Sequence, residues 1–267
     1  MLFCDLALAR RLEAEKARGQ VAHTEAFQQI YPGQGGAVLP IGDGSLTYQG
    51  PDSPISRVVG LGMTGPVTPV LLDQAEAFFE ARGVRTRVDL SPFSDRSLWQ
   101  LVGDRGYKPA WFLNVLIRPV LPEDMDLPAL PAGVAVHPIA PEERAMWAGL
   151  VSVGFGGSTL EPGVPNIAYT NTFTKDVTCF LVTVDGEPAG GGALEMRDGL
   201  ATCFSTSVLP AFRRRGVQTA LLRARLAAAA AAGCDVVTVM TSPGSGSQRN
   251  VQRSGFQVAY TRQVMER

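Results

Sequence analysis

The feature that most restricts how this chain can fold is a pattern it carries twice. Residues 65–118 and 216–265 each begin with a helical run that ends at a glycine, Gly83 or Gly233. A β-rich run follows, Val84–Leu90 or Asp235–Met240, and then the dipeptide Ser91-Pro92 or Ser242-Pro243. A second short helix ends in glycine and an aromatic, Gly106-Tyr107 or Gly255-Phe256, and a last strand closes each copy near Trp111–Ile117 or Val258–Met265. Glycine just past a helix takes the left-handed conformation that closes the last turn, so four such glycines fix four helix ends. The two copies lie roughly 150 residues apart, which predicts two α/β domains in tandem.

Between the copies, "RPVLPEDMDLPALPAGVAVHP" carries five prolines. Proline removes backbone donors and stiffens the chain, so residues 123–133 are predicted to be a linker between a first domain, 1–122, and a second, 134–267. The second domain opens with a helix near Pro141–Gly154. Strands Cys179–Val184, Gly191–Met196 and Ala201–Val208 follow, joined at Asp185-Gly186 and Asp198-Gly199, dipeptides that favour two-residue hairpins. Its order is then α, β-meander, α, β, α, β: a mixed, mostly antiparallel sheet flanked by helices. The opening "MLFCDLALARRLEAEKARG" reads as a helix of the mature protein, since it lacks the apolar core and small-residue cleavage site of a signal peptide.

Composition narrows the function classes. With 24 basic and 25 acidic residues the chain lacks the basic excess of a nucleic-acid binder. No apolar run has the length and quality of a membrane span, so neither nucleic acid nor membrane is an expected partner. Cys4, Cys179, Cys203 and Cys234 are too widely spaced for a zinc pattern, and no metal is expected; reduced, buried thiols suggest the cytoplasm. His23 and His137 stand far apart and read as incidental.

The chemistry is signalled by "AFRRRGVQTALL", where strand Ala201–Val208 passes through Pro210 into a helix from about Thr219. The first N–H groups of a helix lack intrahelical partners and sit at the positive end of its dipole, which makes an anion site. Gly216 lets the backbone approach a phosphate or take a positive φ, and Arg213, Arg214 and Arg215 supply charge for two phosphates. The segment lacks GxxxxGK[ST], and its single glycine is not a dinucleotide fingerprint. From the loop alone, a solvated basic surface remains the competing reading.

The order of elements and the loop together resemble the GNAT family of N-acetyltransferases, over residues from about 134 to 267. The family signature (Gln or Arg, two residues, Gly, one residue, Gly or Ala) is similar to Arg213-Arg214-Arg215-Gly216-Val217-Gln218, with Gln218 departing at the small position. "SQRNVQRSGF" resembles the family's other cofactor-side helix. The resemblance implies two tandem GNAT-like domains, the first without a cofactor site. It implies acetyl-CoA as co-substrate, with its pyrophosphate on the amides of Arg214 to Thr219. It places the pantetheine arm along Val208, with further contacts from Ser247 and Asn250. It also implies a bulge near the splayed fourth and fifth strands that leaves an N–H for the thioester carbonyl.

The acid and base are less directly implied. The tyrosine many members carry four residues before Gly-Phe is Val251 here, which leaves Tyr260 as the nearby phenol. The fourth strand, "ATCFSTSV", has no carboxylate, so Glu195 on the preceding strand is the candidate base. Ser205 or Ser207 could order a water, and Cys203 lacks a histidine partner for a nucleophile's role. Segments Gly154–Ser158 and Glu161–Asn166 read as acceptor-pocket loops. The expected reaction is acetyl transfer to an amine of a small molecule by a monomer or homodimer. A non-catalytic acyl-CoA sensor is the alternative. In the first domain, Gly60, Gly62 and Gly65 fall at GxGxxG spacing, but a lone match is weak and no acidic residue is evident on a following strand end to hold a ribose.

Overall fold

Asp5 starts the first helix. Its carboxylate accepts the Leu8 N–H at 2.8 Å, the usual N-cap arrangement, and α1 runs Leu6–Ile30. The structure, a computed structural model, describes residues 2–126, 130–157 and 165–267. In chain order the remaining elements are β1 (Ala37–Ile41), β2 (Gly44–Tyr48), β3 (Arg57–Val59), α2 (Pro69–Glu80), β4 (Arg87–Leu90), α3 (Arg96–Asp104), β5 (Lys108–Pro119), β6 (Val134–Pro138), α4 (Arg144–Gly154), α5 (Ile167–Asn171), β7 (Val177–Val184), β8 (Glu187–Arg197), β9 (Leu200–Val208), α6 (Val217–Ala231), β10 (Val236–Thr241), α7 (Gly246–Gln252) and β11 (Gln257–Glu266).

Backbone contacts divide the chain into two units that are not consecutive halves. The first joins Met1–Ile117 to Met240–Arg267, and the second is Arg118–Val239. In the first unit β1, β2 and β3 pair antiparallel in sequence, β3 pairs parallel with β4, and β11 lies antiparallel between β4 and β5. The chain's last strand thus belongs to the unit that its first residues build. The sequence reading assigned it, with α7, to the second domain. In the second unit β6, β7, β8 and β9 form an antiparallel meander, and β9 pairs parallel with β10. In each unit the strand pairing is mixed and mostly antiparallel, with helices flanking it.

The glycine signals hold at the level of individual bonds. Val84 and Cys234 donate back to Phe79 and Ala229, and Tyr107 and Phe256 to Val102 and Val251, each across a glycine of positive φ. Asp185-Gly186 and Asp198-Gly199 take positive φ at both positions, as tight hairpins require. The segment read as a linker contains an ordered 3-10 turn, Pro122–Met125. Arg118 donates to both oxygens of Asp124 at 2.8 and 2.9 Å, and Asp124 also accepts the Leu121 N–H. This pairing supplies the partners that the prolines cannot. Residues 127–129 of that segment lie outside the described residues.

The core of the second unit lies between its sheet and α4. Trp147 is fully buried among Leu150, Val151, Cys179, Leu181 and Ala193, with its indole N–H on the Phe180 carbonyl at 2.8 Å. Gly191 in β8 gives that indole room, since a side chain there would overlap the ring.

Candidate active site

Strand β9 approaches the loop with a defect. Gly191 faces Ser207 and Ala193 faces Phe204, so Gly192 stands opposite two residues, Ser205 and Thr206. This is a β-bulge, and Ser205 occupies it at φ 47°, a conformation that ordinarily asks for glycine. Among the described residues, pairing of β9 with β10 spans only Leu200–Cys203 against Val236–Val239, while β9 runs on to Val208. The bulge therefore falls beyond that paired stretch, where an extra residue keeps backbone groups outside the β8 ladder.

After Val208 the chain makes a short 3-10 turn, Pro210–Phe212, and reaches three exposed arginines. Arg214 takes φ 62° and Gly216 takes φ 77°, so the loop is tightly wound. Gly216 is the N-cap, and α6 begins at Val217, two residues sooner than the sequence suggested, with the Ala220 N–H closing on the Gly216 carbonyl at 2.9 Å. The dipole of α6 adds positive potential at this end of the helix. The Arg213 guanidinium is tethered to the Val208 carbonyl at 3.2 Å, and Arg215 reaches Asp185 at 3.4 Å across an exposed pair. These charges are displayed to solvent around the start of a helix, an arrangement that suits a bound anion.

Val208 and Arg213–Thr219 thus share one continuous segment of the second unit. Glu195 lies on β8 of the same unit, buried, with its carboxylate on Arg197 at 3.0 Å; the same guanidinium holds Asp176. Ser247 and Asn250 lie on α7 of the first unit. Tyr260, on β11, also belongs to that unit, and its hydroxyl donates to Glu13 Oε1 at 2.6 Å. Burial foremost, then the neighbouring Glu13 charge, pushes the Tyr260 phenol well above its ordinary value. An acid role asks this hydroxyl to leave Glu13. Cys203 is buried and its thiol is pushed up by burial, as befits a packing residue. Of the acceptor-pocket loops, Ser158 and residues 161–164 lie outside the described residues.

The residue the sequence reading missed is Arg225. It is 2% exposed in an alanine-rich helix, and among the described residues its acceptors are all neutral. Nη1 reaches Thr206 Oγ1 at 2.8 Å, the Ala193 carbonyl at 3.2 Å and the Phe204 carbonyl at 3.5 Å, while Nε bonds the Leu221 carbonyl at 3.2 Å. Gly192 makes the approach possible, since a Cβ there would stand 3.0 Å from Nη1. Burial pulls its pKa down, as it does for any desolvated cation. The sequence held one signal: Arg225 follows Leu221 by four residues and precedes Ala229 by four, on the buried stripe of α6.

The second unit thus sets a bulged strand of a mixed sheet before a basic, glycine-capped turn into a helix. Residues 155–256 match the family model described as Acetyltransferase (GNAT) family. No curated protein matches the chain. Among solved structures, the chain resembles a GCN5-related N-acetyltransferase from Kribbella flavida at TM-score 0.65 and 17% identity, over 94% of each chain. A functionally unknown conserved protein from Staphylococcus epidermidis aligns at TM-score 0.60 and 12% identity, over 90% of this chain and 96% of that one. A tandem GNAT protein from the clavulanic acid biosynthesis pathway aligns at TM-score 0.58 and 17% identity, over 86% and 78%. At these identities the likeness establishes the fold, and the family match supports acyl transfer as the domain's general chemistry.

Proposed function

We propose that the second unit transfers an acetyl group from acetyl-CoA to an amine of a small molecule. The observation that carries this reading is the turn Arg213–Gly216, exposed, triply cationic and glycine-capped at the start of α6. Amides of Arg214 to Thr219 would hold the pyrophosphate, with the arginine side chains balancing its charge. Val208 would flank the pantetheine arm. The thioester supplies an activated acetyl group. The amine nitrogen bonds to its carbonyl carbon, the carbon–sulfur bond breaks, and the electron pair leaves on sulfur. The nitrogen's extra proton passes to a base, with Glu195 or an ordered water as candidates, and the thiolate takes a proton from water or a nearby acid to give CoA. A backbone N–H at the β9 bulge would stabilise negative charge growing on the carbonyl oxygen.

The first unit, by this reading, shares the family's general fold and binds no CoA. Support comes from the turn before α2, where Asp43 already occupies the amides of Gly62 and Thr64. We place the protein in the cytoplasm, in line with four cysteines too few and too widely spaced for a disulfide scaffold. Among the described residues no helix is long and apolar enough to cross a membrane.

Two measurements test the reading. Calorimetry should detect CoA binding and no comparable binding of ATP. A thiol-reactive dye should detect CoA release from acetyl-CoA with at least one member of a panel of small amines. Binding without release for any amine would favour the sensor reading, which the buried Val251 at the family's tyrosine position supports.

A further inference from the structure

The β9 bulge is gripped from both faces of the sheet. From one side, Asn171 at the end of α5 is 2% exposed and donates Nδ2–H to Ser205 Oγ at 3.0 Å. Ser205 is the residue in the unfavourable left-handed conformation. From the other side, Arg225 holds the two residues that flank it: the Phe204 carbonyl, and Thr206 through its hydroxyl at 2.8 Å. Nη1 of Arg225 also binds the Ala193 carbonyl on β8, so one guanidinium spans both strands of the defect. A left-handed serine persists only when its surroundings over-determine it, and a cation buried without a carboxylate persists only when its donors are engaged. Both unfavourable features meet at the same three residues of β9.

We propose that Asn171 and Arg225 are positioning residues that clamp the Ser205–Thr206 bulge, fixing the backbone N–H that receives the acyl carbonyl of the bound thioester. The inference rests on the acetyl-CoA reading above. Neither side chain needs to touch the ligand. Each acts through the bulge, and a donor aimed at a developing charge helps only while its direction is fixed. The grip comes from a helix on each face, α5 and α6, so the direction of the N–H is set by packing and is independent of the ligand.

The test needs no knowledge of the acceptor. Acetyl-CoA carrying carbon-13 at the carbonyl is bound to the protein, and its carbonyl stretch is read by isotope-edited infrared difference spectroscopy. Calorimetry with CoA, which lacks the acyl group, runs in parallel. In the native protein the bound band should move to lower frequency than the free one. Thr206→Val, which keeps the shape and removes the Arg225 acceptor, should lose at least half of that displacement with CoA affinity within threefold. Asn171→Leu and Arg225→Met should lose most of it, and Arg225→Lys should restore less than half. If Arg225→Met fails to fold, Thr206→Val and Ser205→Gly decide, since both leave the core unchanged. A merely structural role would lower the melting temperature and leave the carbonyl band where it was, and that result overturns the clamp. So does a native protein that binds CoA but shows no displacement. A native protein that fails to bind CoA at all overturns the acetyl-CoA reading and the clamp with it, and the calorimetric arm identifies that case.

Discussion

The turns that lead into α2 and α6 occupy matching places in the sequence pattern, and they treat charge in opposite ways. Before α2, the carboxylate of Asp43 accepts the amides of Gly62 at 2.7 Å and Thr64 at 2.6 Å, together with the Thr64 hydroxyl. Ser97 Oγ takes the Val67 N–H, and Pro66 and Pro69 have none to offer. The turn before α2 carries its own anion. Before α6, Gly216 opens the helix and three arginines face solvent. The same contrast extends inward. The first unit buries Glu13 against Arg262 at 2.9 Å and Arg57 against Asp89 at 2.7 Å, each group nearly inaccessible. Burial, reinforced by nearby Arg57, pulls its Lys16 ammonium down to about 7. Charge in the first unit satisfies charge of the same unit. At the second unit's turn Arg215 meets Asp185 only across an exposed 3.4 Å pair, and all three arginines stay open to solvent.

The largest effect should come from breaking the internal pairing. Glu13→Ala leaves Arg262 and the Tyr260 hydroxyl buried without their shared acceptor, which should cost about 3–5 kcal/mol in chemical denaturation. CoA affinity of the folded protein should stay within about twofold. A tenfold loss of affinity would show that the first unit's charges serve ligand binding, and the contrast would fail.

Gly216→Val should weaken CoA binding by about thirtyfold or more, roughly 2 kcal/mol, because a β-branched residue resists φ 77° and its Cβ would press on Pro131 at 3.1 Å. Gly62 shares that φ value, and its Cβ would press on Val67 at 3.1 Å. Gly62→Val should therefore cost stability of about 1–3 kcal/mol while leaving CoA affinity unchanged. Equal loss of CoA affinity in both variants would erase the distinction between the turns.

Charge itself gives a smaller effect. Alanine at Arg213, Arg214 and Arg215 together should weaken CoA binding about tenfold in low salt, with little change for a pantetheine fragment that lacks the pyrophosphate. The loss should shrink as salt rises, since exposed pairs are screened beyond about 10 Å at 0.1 M. Equal losses for both ligands would mean that the arginines only solvate the surface.

What the sequence disclosed follows from how local each signal is. Glycine ends such as Gly83 and Gly233, and hairpin dipeptides such as Asp185-Gly186, depend on neighbours within five residues, and the chain states them openly. The basic turn before α6 is equally local. Strands β1–β3 left no comparable mark, because each is short and its pairing is set by partners elsewhere in the sheet. Nor could the neighbours of β11 reveal that it lies between β4 and β5, which precede it by well over a hundred residues. The 3-10 turn at Pro122–Met125 hid behind prolines because one ion pair, Arg118 with Asp124, holds it. Arg225 hid because arginine in a helix is ordinarily a solvent-facing residue.

Tyr260 probes the comparison at its finest. It is the phenol that a sequence reading nominates as an acid, and it stands inside the first unit's charge network. Its hydroxyl donates to Glu13, which also accepts from Arg262 through Nε and Nη2, while its ring meets Phe93 edge-on at 5.3 Å. Tyr260→Phe removes only the hydroxyl. The ring contact survives, and Glu13 keeps its guanidinium, so the carboxylate is not abandoned as it would be if Arg262 were lost. The cost should be about 1 kcal/mol of stability, the ordinary worth of one hydrogen bond. Turnover with any amine found active should stay within about twofold, because a proton held by Glu13 is committed to the fold. A hundredfold fall in turnover with CoA affinity intact would place Tyr260 in the range of proton-transfer catalysis and would join the first unit's interior to the chemistry of the second.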